Sequence, residues 1–202
     1  MPKNERTQLI SLPDFINSTY MTVSLVNRGL KELPEDFLLE KPTLKRTVEV
    51  LDLSHNQITN IAKLDGYDNI HTLILDSNKF NSHSSLPKMH SLTYLSLVDN
   101  KIGNLAIFID KIADKVPNLK YLNLLKNPAA PNYFNGGSAD DYKDYRLYVI
   151  NSMPNIKVVD YIEVGEEEIK EAKRVYGHLP PAVVSKPISK DLLKNEKYEC
   201  KS

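Results

Sequence analysis

Five histidines, one cysteine, a glycine pair and a spaced series of asparagines are the residues of this chain whose types could do chemistry. His55, His71, His83, His90 and His178 show no H-E-x-x-H and no second ligand at metal spacing, so they read as polar surface. Cys200 stands in a polar stretch with nothing beside it to activate a thiol, and a single cysteine forms neither an internal disulfide nor a multi-cysteine zinc site. Gly136-Gly137-Ser138 lacks the lysine and strand context of a phosphate loop and reads as a flexible turn. No nucleophile elbow, catalytic carboxylate pair or dinucleotide fingerprint appears. The expectation is a protein that is not an enzyme and uses no metal or cofactor.

The asparagines are different, because they recur. Leu51-Asp52-Leu53-Ser54-His55-Asn56, Leu73-Ile74-Leu75-Asp76-Ser77-Asn78 and Leu95-Ser96-Leu97-Val98-Asp99-Asn100 are one pattern written three times. Leu122-Asn123-Leu124-Leu125-Lys126-Asn127 is a fourth copy, and Asn56, Asn78, Asn100 and Asn127 stand 22, 22 and 27 residues apart. Val48, Ile70, Leu92 and Leu119 precede each first leucine by three, completing L-x-x-L-x-L-x-x-N. An asparagine amide both donates and accepts, so it can satisfy backbone groups that no regular ladder reaches where the chain turns inward.

The elements that must hold these asparagines follow from the spacing. Leu-x-Leu has period two, so both leucines of a short strand face one interior. A coil of this length cannot bury its own apolar edge and must stack on neighbours. The expected fold is α/β: a right-handed leucine-rich repeat solenoid with a concave parallel sheet, about five repeats and a cap strand. Val23-Ser24-Leu25-Val26-Asn27-Arg28 is a degenerate first copy, with Arg28 in the asparagine place. In the longer fourth coil Leu105, Phe108, Ile109, Ile112 and Val116 lie on one helical face, which predicts a helix over 105–116 stopped by Pro117.

The ends depart from the repeat. Residues 1–20 read as an N-terminal cap, 21–139 as repeats, 140–177 as a C-terminal cap and 178–202 as an extended tail. Pro154-Asn155-Ile156-Lys157-Val158-Val159 repeats Pro117-Asn118-Leu119-Lys120-Tyr121-Leu122, which predicts a last strand at 157–161. Tyr145, Tyr148, Val149 and Met153 share one face of the helix before it and should seal the core. Glu166, Glu167 and Glu168 open a further helix that closes near Gly177, with acid at its positive end.

Composition narrows the function classes. The 202 residues carry 26 Lys+Arg against 26 Asp+Glu, so the basic excess of a phosphate-gripping protein is missing. No apolar run approaches the roughly 20 residues of a membrane span, and no signal peptide is evident. A soluble, cytoplasmic or alternatively nuclear monomer is expected; the Asn17-Ser18-Thr19 sequon is read as unused.

These coils, with the ending Tyr145-Arg146-Leu147-Tyr148-Val149-Ile150 and Met153-Pro154-Asn155-Ile156 through Asp160, resemble the intracellular leucine-rich repeat proteins that carry a C-terminal cap motif. The resemblance spans roughly residues 20–177. It is strongest to the melanocyte-differentiation-associated branch of that group and extends to the spliceosomal A-prime branch. The first branch implies an adaptor around pigment-type or lysosome-related organelles, with a small GTPase of the Rab class as partner. The second implies a nuclear ribonucleoprotein component that grips an RNA-recognition domain.

The repeat register places Asp52, Ile74, Asp76, Tyr94, Val98, Asp99, Tyr121 and Leu125 on the concave face. Three acids against Lys126 make that face a poor fit for nucleic-acid phosphate. An apolar and aromatic patch rimmed by acid has the make-up of a protein interface, so a folded protein partner is expected there.

Overall fold

The computed structural model describes residues 21–33 and 44–178. The expected N-terminal cap at 1–20 lies outside them, as does the tail beyond His178. Seven short strands form one sheet in chain order: β1 (Met21–Ser24), β2 (Val48–Asp52), β3 (Thr72–Ile74), β4 (Tyr94–Ser96), β5 (Tyr121–Asn123), β6 (Val158–Val159) and β7 (Ile162–Glu163). The first six run parallel; β7 folds back antiparallel on β6. Among the described residues four α-helices accompany them: α1 (Leu44–Thr47), α2 (Leu105–Ile112), α3 (Ala139–Ser152) and α4 (Glu166–Tyr176). The registers align the repeats, so that Leu51, Leu73, Leu95, Leu122 and Val159 form one buried column.

The ladder runs on past the strands. Leu53, Leu75 and Leu97 donate their N–H groups to the carbonyls of Ile74, Ser96 and Asn123 in the next coil, at 2.8–2.9 Å. One residue before each turn position the chain adopts a left-handed conformation: Asn27, His55, Ser77, Asp99 and Lys126 have φ between 52° and 59°. That kink drives each asparagine side chain inward. Asn78 Oδ1 accepts Ile58 N–H at 2.9 Å, while its Nδ2 donates to the carbonyls of Leu53 and Leu75, both at 3.0 Å. Asn56, Asn100 and Asn127 repeat this arrangement, each bonding its own coil and the one before it. All four side chains are buried.

Helix α2 starts where Asn104 caps Ile107 N–H but ends at Ile112, short of the expected 116. Lys115 and Val116 both donate to the Ile112 carbonyl, so the last turn tightens ahead of Pro117. Val116 still enters the core.

The cap is tighter than its sequence suggests. Ser138 and Asp141 form a reciprocal capping box at the start of α3. Six consecutive residues of α3, Tyr145 to Ile150, are buried, where one sealed face was expected. The helix is covered on several sides: Tyr148 hydroxyl reaches Asp110 of α2 at 3.4 Å, and Tyr176 of α4 stacks edge-on to the Tyr148 ring. Burial beside Asp110 pushes the Tyr148 hydroxyl up to about 12. Arg146, itself buried, clamps Glu168 of α4 through two 2.8 Å bonds and gives two further N–H groups to the carbonyls of Val159 and Glu163. The last strand is shorter than expected, because Asp160 and Tyr161 both take positive φ (53° and 65°) and reverse the chain into β7.

Candidate protein-binding face

Residues two apart on a strand share a face, so the sheet's outer side is built from alternate positions of β2 to β5 and the turns that follow. Tyr94 and Tyr121 are register partners on β4 and β5, with ring centroids 6.0 Å apart and planes tilted by 33°. Tyr121 is 42% exposed and Tyr94 is half-buried. Burial raises the Tyr94 hydroxyl above its ordinary value, and the neighbouring Tyr161 and Asp76 add to the shift. Ile74, Val98 and Leu125 are partly buried around this pair.

The acids divide into two kinds. Asp52 accepts both the N–H and the hydroxyl of Ser54, at 2.9 and 2.6 Å. Asp76 accepts Ser96 hydroxyl at 2.6 Å and Val98 N–H at 2.9 Å, tying its coil to the next. These two carboxylates are engaged within the sheet. Asp99 is exposed and accepts only Ser77 hydroxyl among the bonds seen, at 3.0 Å, which leaves it the readiest acid for a partner. Ser54, Ser96 and Asn123 also occupy outward register positions, yet all three are buried. Asn123 Oδ1 accepts Leu125 N–H, while its buried Nδ2 has no hydrogen-bond partner.

Two residues of this region escape the repeat pattern. The β6–β7 reversal presents Tyr161 and Ile162, 68% and 52% exposed, at the cap end of the sheet. Tyr161 lies near enough to Tyr94 to help raise its hydroxyl above the ordinary value, so it continues the aromatic surface from the coils onto the cap. Its only sequence signal is its place after the last strand.

The remaining chemistry-bearing residues do not assemble. His71 pairs with Glu49 at 3.4 Å, while His55, His83 and His90 are exposed. Among the described residues no three His, Cys, Asp or Glu side chains are placed to hold a metal ion, and no helix is long and apolar enough to cross a membrane. Gly136-Gly137-Ser138, expected as a flexible turn, is a hydrogen-bonded one. Gly136 takes φ 78°, Gly137 packs against Pro131, and Ser138 caps α3.

Comparison with known proteins agrees with the coil geometry. The leucine-rich repeat family pattern matches residues 48–189. The chain is 36% identical to the human leucine-rich melanocyte differentiation-associated protein over 147 residues, which are 70% of this chain and 74% of that protein. It is 31% identical to the U2 small nuclear ribonucleoprotein A′ of Arabidopsis thaliana over 133 residues, 63% of this chain and 47% of that longer protein. A solved Drosophila melanogaster SNF/U2A′ complex contains a chain of similar fold, with TM-score 0.62, 18% identity and 86% of each chain covered. This chain belongs to the leucine-rich repeat family. Its relatives include the melanocyte differentiation-associated protein and the U2 A′ proteins.

Proposed function

We propose that this protein is a non-catalytic adaptor that binds a folded protein on its concave face and the adjoining cap. The observation that carries the reading is the aromatic run of half-buried Tyr94 with exposed Tyr121 and Tyr161, set on the parallel sheet beside the exposed Asp99. Aromatic anchors on a rigid surface supply contact area with little ordering cost. Direct nucleic-acid binding is not part of this reading, since Asp52, Asp76 and Asp99 outnumber Lys126 on the face.

In its finer form, the partner is a small GTPase of the Rab class, engaged by a cytoplasmic monomer in trafficking to pigment-type or lysosome-related organelles. The 36% identity to the melanocyte differentiation-associated protein supports this form. A second reading places the protein in the nucleus as a ribonucleoprotein component whose concave face grips an RNA-recognition domain. It is favoured by the shared fold with a chain of the SNF/U2A′ complex. Capture of partners from extract, identified by mass spectrometry, separates the two. Trafficking GTPases select the first reading and spliceosomal proteins the second; recovery of neither contradicts both.

A further inference from the structure

The most exposed large apolar side chains among the described residues lie off the concave face. Tyr133 and Phe134 are 88% and 97% exposed, on the loop joining the fourth coil to α3, with their rings edge to face at 5.9 Å. The backbone beneath them is firmly built. Asn132 Oδ1 accepts Phe134 N–H at 2.9 Å, and Asn135 Oδ1 accepts Asn132 N–H at 2.8 Å. Both amide groups then donate to the Ala130 carbonyl, at 3.1 and 2.9 Å. Gly137 N–H closes the loop onto the Asn132 carbonyl, where a Cβ would stand 2.6 Å from Pro131 Cβ. These bonds order a loop whose two largest side chains bury almost nothing within the chain. Ordering backbone has an entropic cost, and wet aromatic surface returns none of it. The arrangement is accounted for if the rings are buried in a complex, with the loop already ordered before binding.

The charge around the loop specifies the partner. Residues 128–138 contain no charged side chain, and the first charges after the rings are Asp140 and Asp141 at the start of α3. An acid flank repels an anionic lipid surface and favours a basic rim. We propose that the Tyr133–Phe134 loop is a second docking element, inserting its ring pair into an apolar cleft with a basic rim on a folded protein partner.

Site-specific photo-crosslinking in the full-length chain tests this, with benzoylphenylalanine at position 134 or, separately, at position 121. The expected result is a position-134 adduct mapping to apolar partner residues that adjoin Lys or Arg. Its yield should fall about tenfold with Asp140→Lys, equivalent to a loss of roughly 1.4 kcal/mol. Tyr133→Ser/Phe134→Ser should leave the thermal melt unchanged, since both rings are exposed; a lowered midpoint would assign the rings a folding role and overturn the proposal. It is also overturned by no adduct at 134, by an adduct indifferent to Asp140→Lys, or by loop-dependent binding to phosphatidylcholine–phosphatidylserine vesicles. Loop-dependent dimerisation in sedimentation overturns it too. Adducts at 121 alone retain the concave-face reading and remove the loop; adducts at 134 alone do the reverse.

Discussion

Asn78 in the coils and Asp160 in the cap both stand near the end of a buried strand, and both complete bonds that a neighbouring strand would otherwise leave open. Asn78 works between two like coils, donating and accepting with one neutral amide. Asp160 works where no further coil follows. In the interior coils the third strand N–H finds a backbone carbonyl of the next coil, but Leu124 N–H finds the Asp160 carboxylate at 2.8 Å. The donor half of the task passes to Arg146, which serves the Val159 carbonyl. A repeating interior can thus be held by a neutral group used many times, whereas its terminus needs charged side chains that replace a missing neighbour. Those charges must be compensated: Arg146 by Glu168, and Asp160 by the Leu124 N–H and the Tyr142 hydroxyl, the latter at 3.4 Å.

The largest break in this comparison removes the terminus altogether. A fragment ending at Asn127 exposes the apolar edge of the fourth coil and should aggregate or unfold, while one ending at Gly177 should melt cooperatively as a monomer. Light scattering and thermal melts decide it, and a soluble, cooperative shorter fragment contradicts the cap's role.

Next in size is Arg146→Met. It strands Glu168 and leaves the Val159 and Glu163 carbonyls without their donor, at a cost of about 3 kcal/mol. Adding Glu168→Leu should recover part of that loss, because the orphaned charge goes with it. Urea midpoints that fall further in the double variant would contradict the pairing.

A smaller effect tests the coils. Asn78→Ala leaves buried backbone groups unpaired, at about 1–3 kcal/mol. Lys79 is exposed and reaches only Gln57 at 3.1 Å, so Lys79→Ala should change the midpoint little. Equal midpoints for the two variants would overturn the asparagine's role.

The smallest effect is one of pH. Burial holds the Asp160 carboxyl above its ordinary value, so the folded state binds that proton more tightly than the unfolded state. Its contribution to stability therefore falls as pH rises from the ordinary Asp range through the folded value, and is constant above it. Glu168 has the opposite sign: Arg146 holds it below its ordinary value, so its contribution is present above the ordinary Glu range and lost as pH falls through the folded value. Asp160→Asn keeps an acceptor for Leu124 and suits the positive φ there. The variant should gain on wild type as pH rises through the acid range; parallel stability curves would contradict this.

The same contrast explains what could be read from the sequence. The asparagine turns are legible because Leu51, Leu73, Leu95 and Leu122 each announce one at a fixed offset, and repetition separates signal from chance. The two cap helices are legible from Tyr145–Met153 and from the Glu166–Glu168 start. The pairing of Arg146 with Glu168 is not, because it joins residues 22 apart in a segment that occurs once. Nor is the β6–β7 reversal, since Asp160-Tyr161 lacks the glycine that usually marks a two-residue hairpin. The buried state of Ser96 and Asn123 escapes a period-two reading, which puts both on the outward side of the sheet. Tyr133 and Phe134 belong to no period; only the bonds beneath them set them apart.

The most direct test of the adaptor function is partner capture by Tyr94→Ala/Tyr121→Ala, compared with wild type and with a chain lacking residues 178–202. Buried aromatic anchors dominate interface energies, so the double variant should lose the partner by tenfold or more, about 1.4 kcal/mol at the least. Its thermal melt should stay close to wild type, because both rings stand outside the leucine core. The truncated chain should capture the partner as wild type does. Full capture by the double variant, with loss on truncation, would move the binding site into the tail and contradict the concave-face function.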